Sequence, residues 1–220
     1  MTNLFVADYS RAGLQARFTH LWQRCLLSGV DADSVSAWQQ LSQHYSEKHR
    51  LYHTLEHLSF CMREFDTARH LMDTADTVEM AIWYHDINHN PQTMDNEYQS
   101  RLLFESIAQD IFDQEFSHTV GNLIMATTHN QTPETRDEYY ICDIDLSSMG
   151  ASWEKFIQDS NALKAESDTA TERYSMGKLK FFNALLERPR IFYTDFFHSL
   201  YEATARKNIQ RYISMLNQKG

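Results

Sequence analysis

The sequence predicts an all-α fold, and three observations carry that expectation. Only 6 Gly and 3 Pro interrupt 220 residues. Apolar residues recur three and four positions apart along most of the chain, and runs of alternating polarity are few. Hydrophobic residues make up 42% and charged residues 23%, the balance of a globular chain with a sizeable core. No shift in composition divides it, so residues 1–220 are expected to form one domain.

Taken in order, Leu14, Phe18, Leu21, Trp22, Cys25 and Leu26 define a first amphipathic helix that Gly29 ends. Asp31 or Asp33 caps a second, carrying Val35, Trp38, Leu41 and Tyr45. A third is expected to hold both His53 and His57 and to run to about His70. Asp73 or Thr74 opens a fourth through the apolar run Val78 to Tyr84, which ends at His85-Asp86 before Pro91 turns the chain away. Asp95-Asn96-Glu97 starts a fifth with Leu102, Leu103, Ile107 and Ile111. Phe116 to Ala126 is a sixth, and the stretch Tyr139 to Gly150 follows. Trp153, Phe156 and Ile157 begin another helix. Ala165 to Leu186 reads as one long periodic segment, Arg188 to Tyr193 as a connector, and Phe196 to Leu216 as the closing helix.

Bulk properties exclude several classes. A formal net charge of -10 and a pI near 5.5 disfavour duplex nucleic acid as a partner. No stretch approaches 18 consecutive apolar residues, so no membrane span is expected. The residues Met1 to Ala12 do not read as a signal peptide. Cys25, Cys61 and Cys142 show no CxxC spacing and fit reduced thiols in a cytoplasmic protein. An apolar helical surface could pair two copies as a homodimer.

The chemistry gathers around His85-Asp86. Ionisable side chains at the end of a buried helix need partners, and a neutral imidazole beside a carboxylate is what a divalent metal accepts. His53 and His57, four apart, would share a helix face and could reach one pocket; the alternative is a pair of surface histidines. Glu97 is either a helix N-terminal charge or a residue lining the site. His129, at a helix end, is either structural or a ligand. Asp143 and Asp145 alternate with apolar residues and cannot point the same way on a helix, so one of them is expected to bind metal. Arg50 or Lys48 could contact phosphate, or both could form a solvated face.

The order His57, His85-Asp86, His129, Asp145 on a helical chain resembles the HD superfamily of metal-dependent phosphohydrolases. The finer likeness is to a bacterial family of predicted metal-dependent HD phosphohydrolases. It rests on Arg50-Leu51-Tyr52-His53-Thr54-Leu55-Glu56-His57, Ala81-Ile82-Trp83-Tyr84-His85-Asp86, Asn96-Glu97, Thr128-His129, Asp143-Ile144-Asp145-Leu146 and Ala205-Arg206-Lys207-Asn208, and covers nearly the whole chain. It implies an HD-type helical bundle with a catalytic core over about 45–150 and additional C-terminal helices over 151–220. Tyr52 to His57, His85 to His89 and Asp145-Leu146-Ser147 also look like motifs of the cyclic-nucleotide phosphodiesterases. That likeness implies His57 as a ligand and His53 as proton donor, and favours Asp145 over Asp143. Asn88 stands where those enzymes have Asp, and their long substrate-pocket regions are missing, so a cyclic nucleotide is not implied.

The ligand set expected is His57, His85, Asp86 and Asp145, with His129, and His89 as a further candidate, beside a second ion that Asp86 would bridge. Imidazoles with carboxylates suit Mn, Fe, Co, Ni or Zn, one ion or two, better than Mg, which is still admitted. His53 and Asp86 are the expected catalytic residues. Arg50, Glu97 and His89 are expected on the substrate side. The implied activity is hydrolysis of a nucleotide or other small phosphate ester by metal-activated water. A di-iron HD-type oxygenase and a non-catalytic nucleotide-binding module are the rival readings.

Overall fold

Val78 to Tyr84 explains the architecture. This run is apolar on almost every side, and a helix of that kind has to be surrounded. In the computed structural model, which describes residues 7–167 and 169–218, it lies in α4 (Ala75–Tyr84), where Thr77 to Tyr84 are all buried. Around α4 pack α1 (Arg11–Cys25), α3 (Leu55–Ala68), α5 (Asn96–Ala108), α6 (Gln114–Ala126) and α7 (Arg136–Leu146). α2 (Ser34–His44) lies against α1, and α8 (Trp153–Glu166), α9 (Thr171–Glu187) and α10 (Asp195–Asn217) complete the chain. Short 3₁₀ turns cover Arg69–Leu71 and Ser147–Gly150. The fold is all-α: the described residues hold no strand, only one isolated bridge between Leu26 and Phe112.

One continuous hydrophobic core extends from Leu14 in α1 to Tyr212 in α10. At its centre Trp83 meets both Phe18 and Trp38 edge to face, Phe18 and Trp38 are tilted at 46°, and the three ring centroids lie 5.5–5.9 Å apart. No helix among the described residues is long and apolar enough to cross a membrane.

Several helix starts follow the sequence. Asp33, rather than Asp31, caps α2 by accepting from the Val35 and Ser36 amides. Thr135 and Glu138 form a capping box on α7. Gly29, with φ +83°, makes the left-handed turn after α1 that a side chain would resist.

Other starts are satisfied from far away. Asp137 on α7 accepts from the Asp73 and Thr74 amides and from the Thr74 hydroxyl at the head of α4. Asp143 accepts from the Tyr193 and Thr194 amides and the Thr194 hydroxyl at the head of α10. Glu202 grips the Ile191 and Phe192 amides. Buried carboxylates thus serve as staples for backbone N–H groups that would otherwise lack acceptors.

Two expectations about elements need correcting. His53 is not on the helix of His57: Thr54 is the extended N-cap of α3, and His53 precedes it. The periodic segment Ala165 to Leu186 is not one helix, because α8 ends at Glu166 and α9 starts at Thr171. Ser167, extended at the end of α8, and Thr169 are residues whose hydroxyls compete with helical backbone bonding.

Candidate metal centre

Four ligand-type side chains converge where α3, α4 and α7 meet. His57 comes from the first turn of α3, His85 caps the C-terminus of α4, Asp86 follows it, and Asp145 lies in the last turn of α7. His57 Nε2 is 3.4 Å from His85 Nε2 and 3.7 Å from Asp145 Oδ1, and His85 Nε2 is also 3.7 Å from Asp145 Oδ1. Asp86 Oδ2 lies 2.9 Å from His85 Nε2 and 3.4 Å from His57 Nε2.

The tautomer of His85 decides what this cluster can hold. Its Nδ1–H donates to the Ile82 carbonyl at 2.9 Å. Nε2 is therefore the nitrogen with a lone pair, and it faces a carboxylate oxygen and a second imidazole nitrogen. Such a convergence of lone pairs requires a cation, either a proton or a metal ion. Burial pulls the His85 imidazolium down, but Asp86 and Asp145 outweigh it and hold it well above its usual value. Burial likewise acts to raise both carboxyls, but His85 and His53 hold Asp86 well below the ordinary range, and His129 and His85 do the same for Asp145. His57, His85 and Asp145 thus form a group that could hold a metal ion, with Asp86 against both imidazoles.

The choice left open between Asp143 and Asp145 falls to Asp145. Asp143 is fully buried and bound to the head of α10, with burial raising its carboxyl to about 6. His129 stands behind the cluster rather than within it. Its Nε2 lies 2.8 Å from Asp145 Oδ2, the oxygen turned away from His57 and His85, so it orients that carboxylate. A left-handed backbone, φ +54°, aims the ring there, and its Nδ1 is buried without a partner.

A second group lies beside the first. Glu166, at the end of α8, was not expected at the site. Its Oε2 accepts from the Leu51, Tyr52 and His53 amides, while Oε1 is 2.6 Å from His53 Nδ1 and 2.5 Å from His89 Nε2. These three residues could also hold an ion. With Nδ1–H given to Glu166, the other nitrogen of His53 points inward, 3.9 Å from Asp86 Oδ2. Burial lowers the His53 imidazolium, but Asp86 and Glu166 raise it on balance. Burial also acts to raise the Glu166 carboxyl, yet His53 and His89 hold it well below the ordinary range.

Three substrate-side expectations fare differently. Arg50 is buried, and its guanidinium donates to the Asp86, Ile87 and His53 carbonyls and to Glu47, above the ring of Tyr45. It fixes the loop that presents Asp86 and does not face the cavity. His89 lies behind His53, with ring centroids 4.6 Å apart, and does not line the cavity either. Glu97 does line it, and burial, then Asp86 and Asp145, raises its carboxyl.

That cavity has a volume of about 270 Å³. One wall is made by Tyr52, His53, Asp86, Glu97, His129 and Asp145, the other by Phe156, Leu163, Lys178, Phe181 and Phe182. The residues that build the site therefore extend past 150, through Glu166 and Lys178.

No protein-family model, curated protein or solved structure matches the chain.

Proposed function

We propose that this chain is a metal-dependent phosphohydrolase of the HD type, acting on a nucleotide or another small phosphate ester. The observation that carries the reading is the convergence of the His57, His85, Asp86 and Asp145 ligand atoms beside a cavity that His53 also lines. His57, His85, Asp86 and Asp145 would hold a divalent transition metal, Mn, Fe, Co, Ni or Zn. Bound there, the ion supplies Lewis acidity, easing loss of a proton from water and neutralising charge on a phosphoryl oxygen. His53 holds a proton on the nitrogen facing the cavity, and the Glu166 carboxylate at Nδ1 keeps it charged until the leaving oxygen takes it. Arg50 keeps Asp86 in place through the backbone. The apolar wall of Phe156, Leu163, Phe181 and Phe182 excludes water from the organic part of the ester. A cytoplasmic setting, where the three free cysteines stay reduced, accords with this reading.

The test is a phosphatase and phosphodiesterase screen of the purified chain with Mn, Co, Ni and Mg. Phosphate or phosphoester release is expected, abolished in Asp86→Ala and lowered by about 10²–10⁴-fold in His53→Asn. Iron with dioxygen consumption and no release would instead favour the oxygenase. Ligand binding without turnover in any metal would leave a binding module.

A further inference from the structure

The cation that best suits a phosphate in this cavity lies outside every sequence motif. Lys178 is half-buried on α9, and its Nζ stands 4.7 Å from the ring centroid of Phe182 and 5.9 Å from that of Phe181. A lysine held off water in this way ordinarily has a carboxylate beside it. Among the described residues it makes no ion pair, and burial alone draws its ammonium down to about 8. The aromatic faces steady the charge without satisfying its N–H donors.

Lys178 and Phe181 also line a second, open space of about 900 Å³ between α9 and the loop 91–94. Arg173 and Lys180 line it too, and no Asp or Glu does among the described residues. Neither of these cations has an ion pair among the described residues either. In a chain with a net charge of -10, such a run of cations is local and directional. It adjoins the inner cavity through the residues the two spaces share.

We propose that Lys178 binds the phosphate nearest the metal centre, and that Arg173 and Lys180 bind a second phosphate of the same molecule. The preferred substrate is then an ester or anhydride bearing two or more phosphate groups, with its uncharged part against Phe156 and Phe182. This rests on the phosphohydrolase reading for the reaction but not for the binding.

The two are separated by pairing calorimetry with kinetics. Inorganic phosphate and inorganic pyrophosphate are titrated into metal-loaded and metal-stripped protein, so that chelation of metal by pyrophosphate is distinguished from contact with α9. Wild type is expected to bind pyrophosphate about tenfold or more tightly than phosphate. Lys178→Met should weaken both anions and Lys178→Arg restore them, while Arg173→Ala/Lys180→Ala should remove only the preference for pyrophosphate. Turnover of adenosine mono-, di- and triphosphate should follow the same order in kcat/KM, through KM, with p-nitrophenyl phosphate indifferent to the double variant. Equal binding of both anions in wild type, unchanged in Lys178→Met, would overturn the proposal even with ester hydrolysis intact. Lysine-dependent pyrophosphate binding without hydrolysis of any ester would keep the anion site and refute the phosphohydrolase.

Discussion

At the scale of single residues, Asp143 and Asp145 show how two positions on one helix take opposite duties. Asp143 accepts three hydrogen bonds from the head of α10, and Asp145 turns its Oδ1 toward His57 and His85. Asp145→Asn is expected to lose metal affinity and also stability at neutral pH, since His129 and His85 outweigh burial and hold the carboxyl below its ordinary range. Asp143→Asn should keep metal and lose roughly 1–3 kcal/mol, since one side-chain acceptor becomes a donor facing donors. Denaturant unfolding and a metal titration on both variants check this pair. Glu166 and His53 give a pH dependence. The raised His53 is a competent proton donor below its pKa, so removing the neighbouring charge in Glu166→Gln should move the alkaline limb of the rate profile to lower pH. Stability responds at the other end. Burial acts to raise the Glu166 carboxyl but His53 and His89 depress it, so its contribution is present above the ordinary value of 4.5 and lost as pH falls through the folded value. Acid unfolding of Glu166→Gln should accordingly be less steep than that of wild type. His57, His85-Asp86 and Asp145 were legible through the order of their motifs, which resembles that of the HD superfamily. Glu166 was not, because a glutamate at the end of an amphipathic helix, over a hundred positions from His53, leaves no local mark.

At the scale of elements, the turn Ser147–Gly150 begins two residues after Asp145, at the end of α7, and is held by α10. Asn208 donates to the Met149 and Ala151 carbonyls at 2.9 Å. A Cβ on Gly150 would come within 2.5 Å of the Tyr201 Cβ, and the Tyr201 hydroxyl is already given to Glu64 at 2.8 Å. Gly150→Ala should therefore cost about 1–3 kcal/mol and weaken metal binding at a distance from the ligands, measured by melting and by metal titration. Most helices could be anticipated from periodicity and caps. The break between α8 and α9 could not, because apolar spacing continues across it, and the head of α4 depends on Asp137 rather than on a local cap. The helix expected to carry both His53 and His57 failed for a related reason. The three amides of Leu51 to His53 are satisfied by Glu166 rather than by helical carbonyls.

At the scale of the molecule, a buried α4 delivers His85 and Asp86 to the junction of α3 and α7, and α8 and α9 close the site from outside. Folding and metal binding are therefore linked, since the ligands come from three helices that meet only in the native chain. Adding a metal to about 100 times its dissociation constant should stabilise the chain by about 2.7 kcal/mol, or roughly 5–10 °C in Tm. Asp86→Ala should show no such rise in a thermal scan. The all-α class was legible because few breakers and a helical apolar period act along the whole sequence. The cavity's far wall was hidden, because Phe181, Phe182 and Lys178 read as ordinary core and surface until α9 is laid over the metal centre.

The most direct measurement is the metal content of the chain purified without added metal, beside that of Asp86→Ala prepared identically. One or two equivalents of a divalent transition metal per chain, lost in the variant, is the predicted result. No bound metal under conditions that spare weak sites, and none taken up on titration, would contradict the account at its centre.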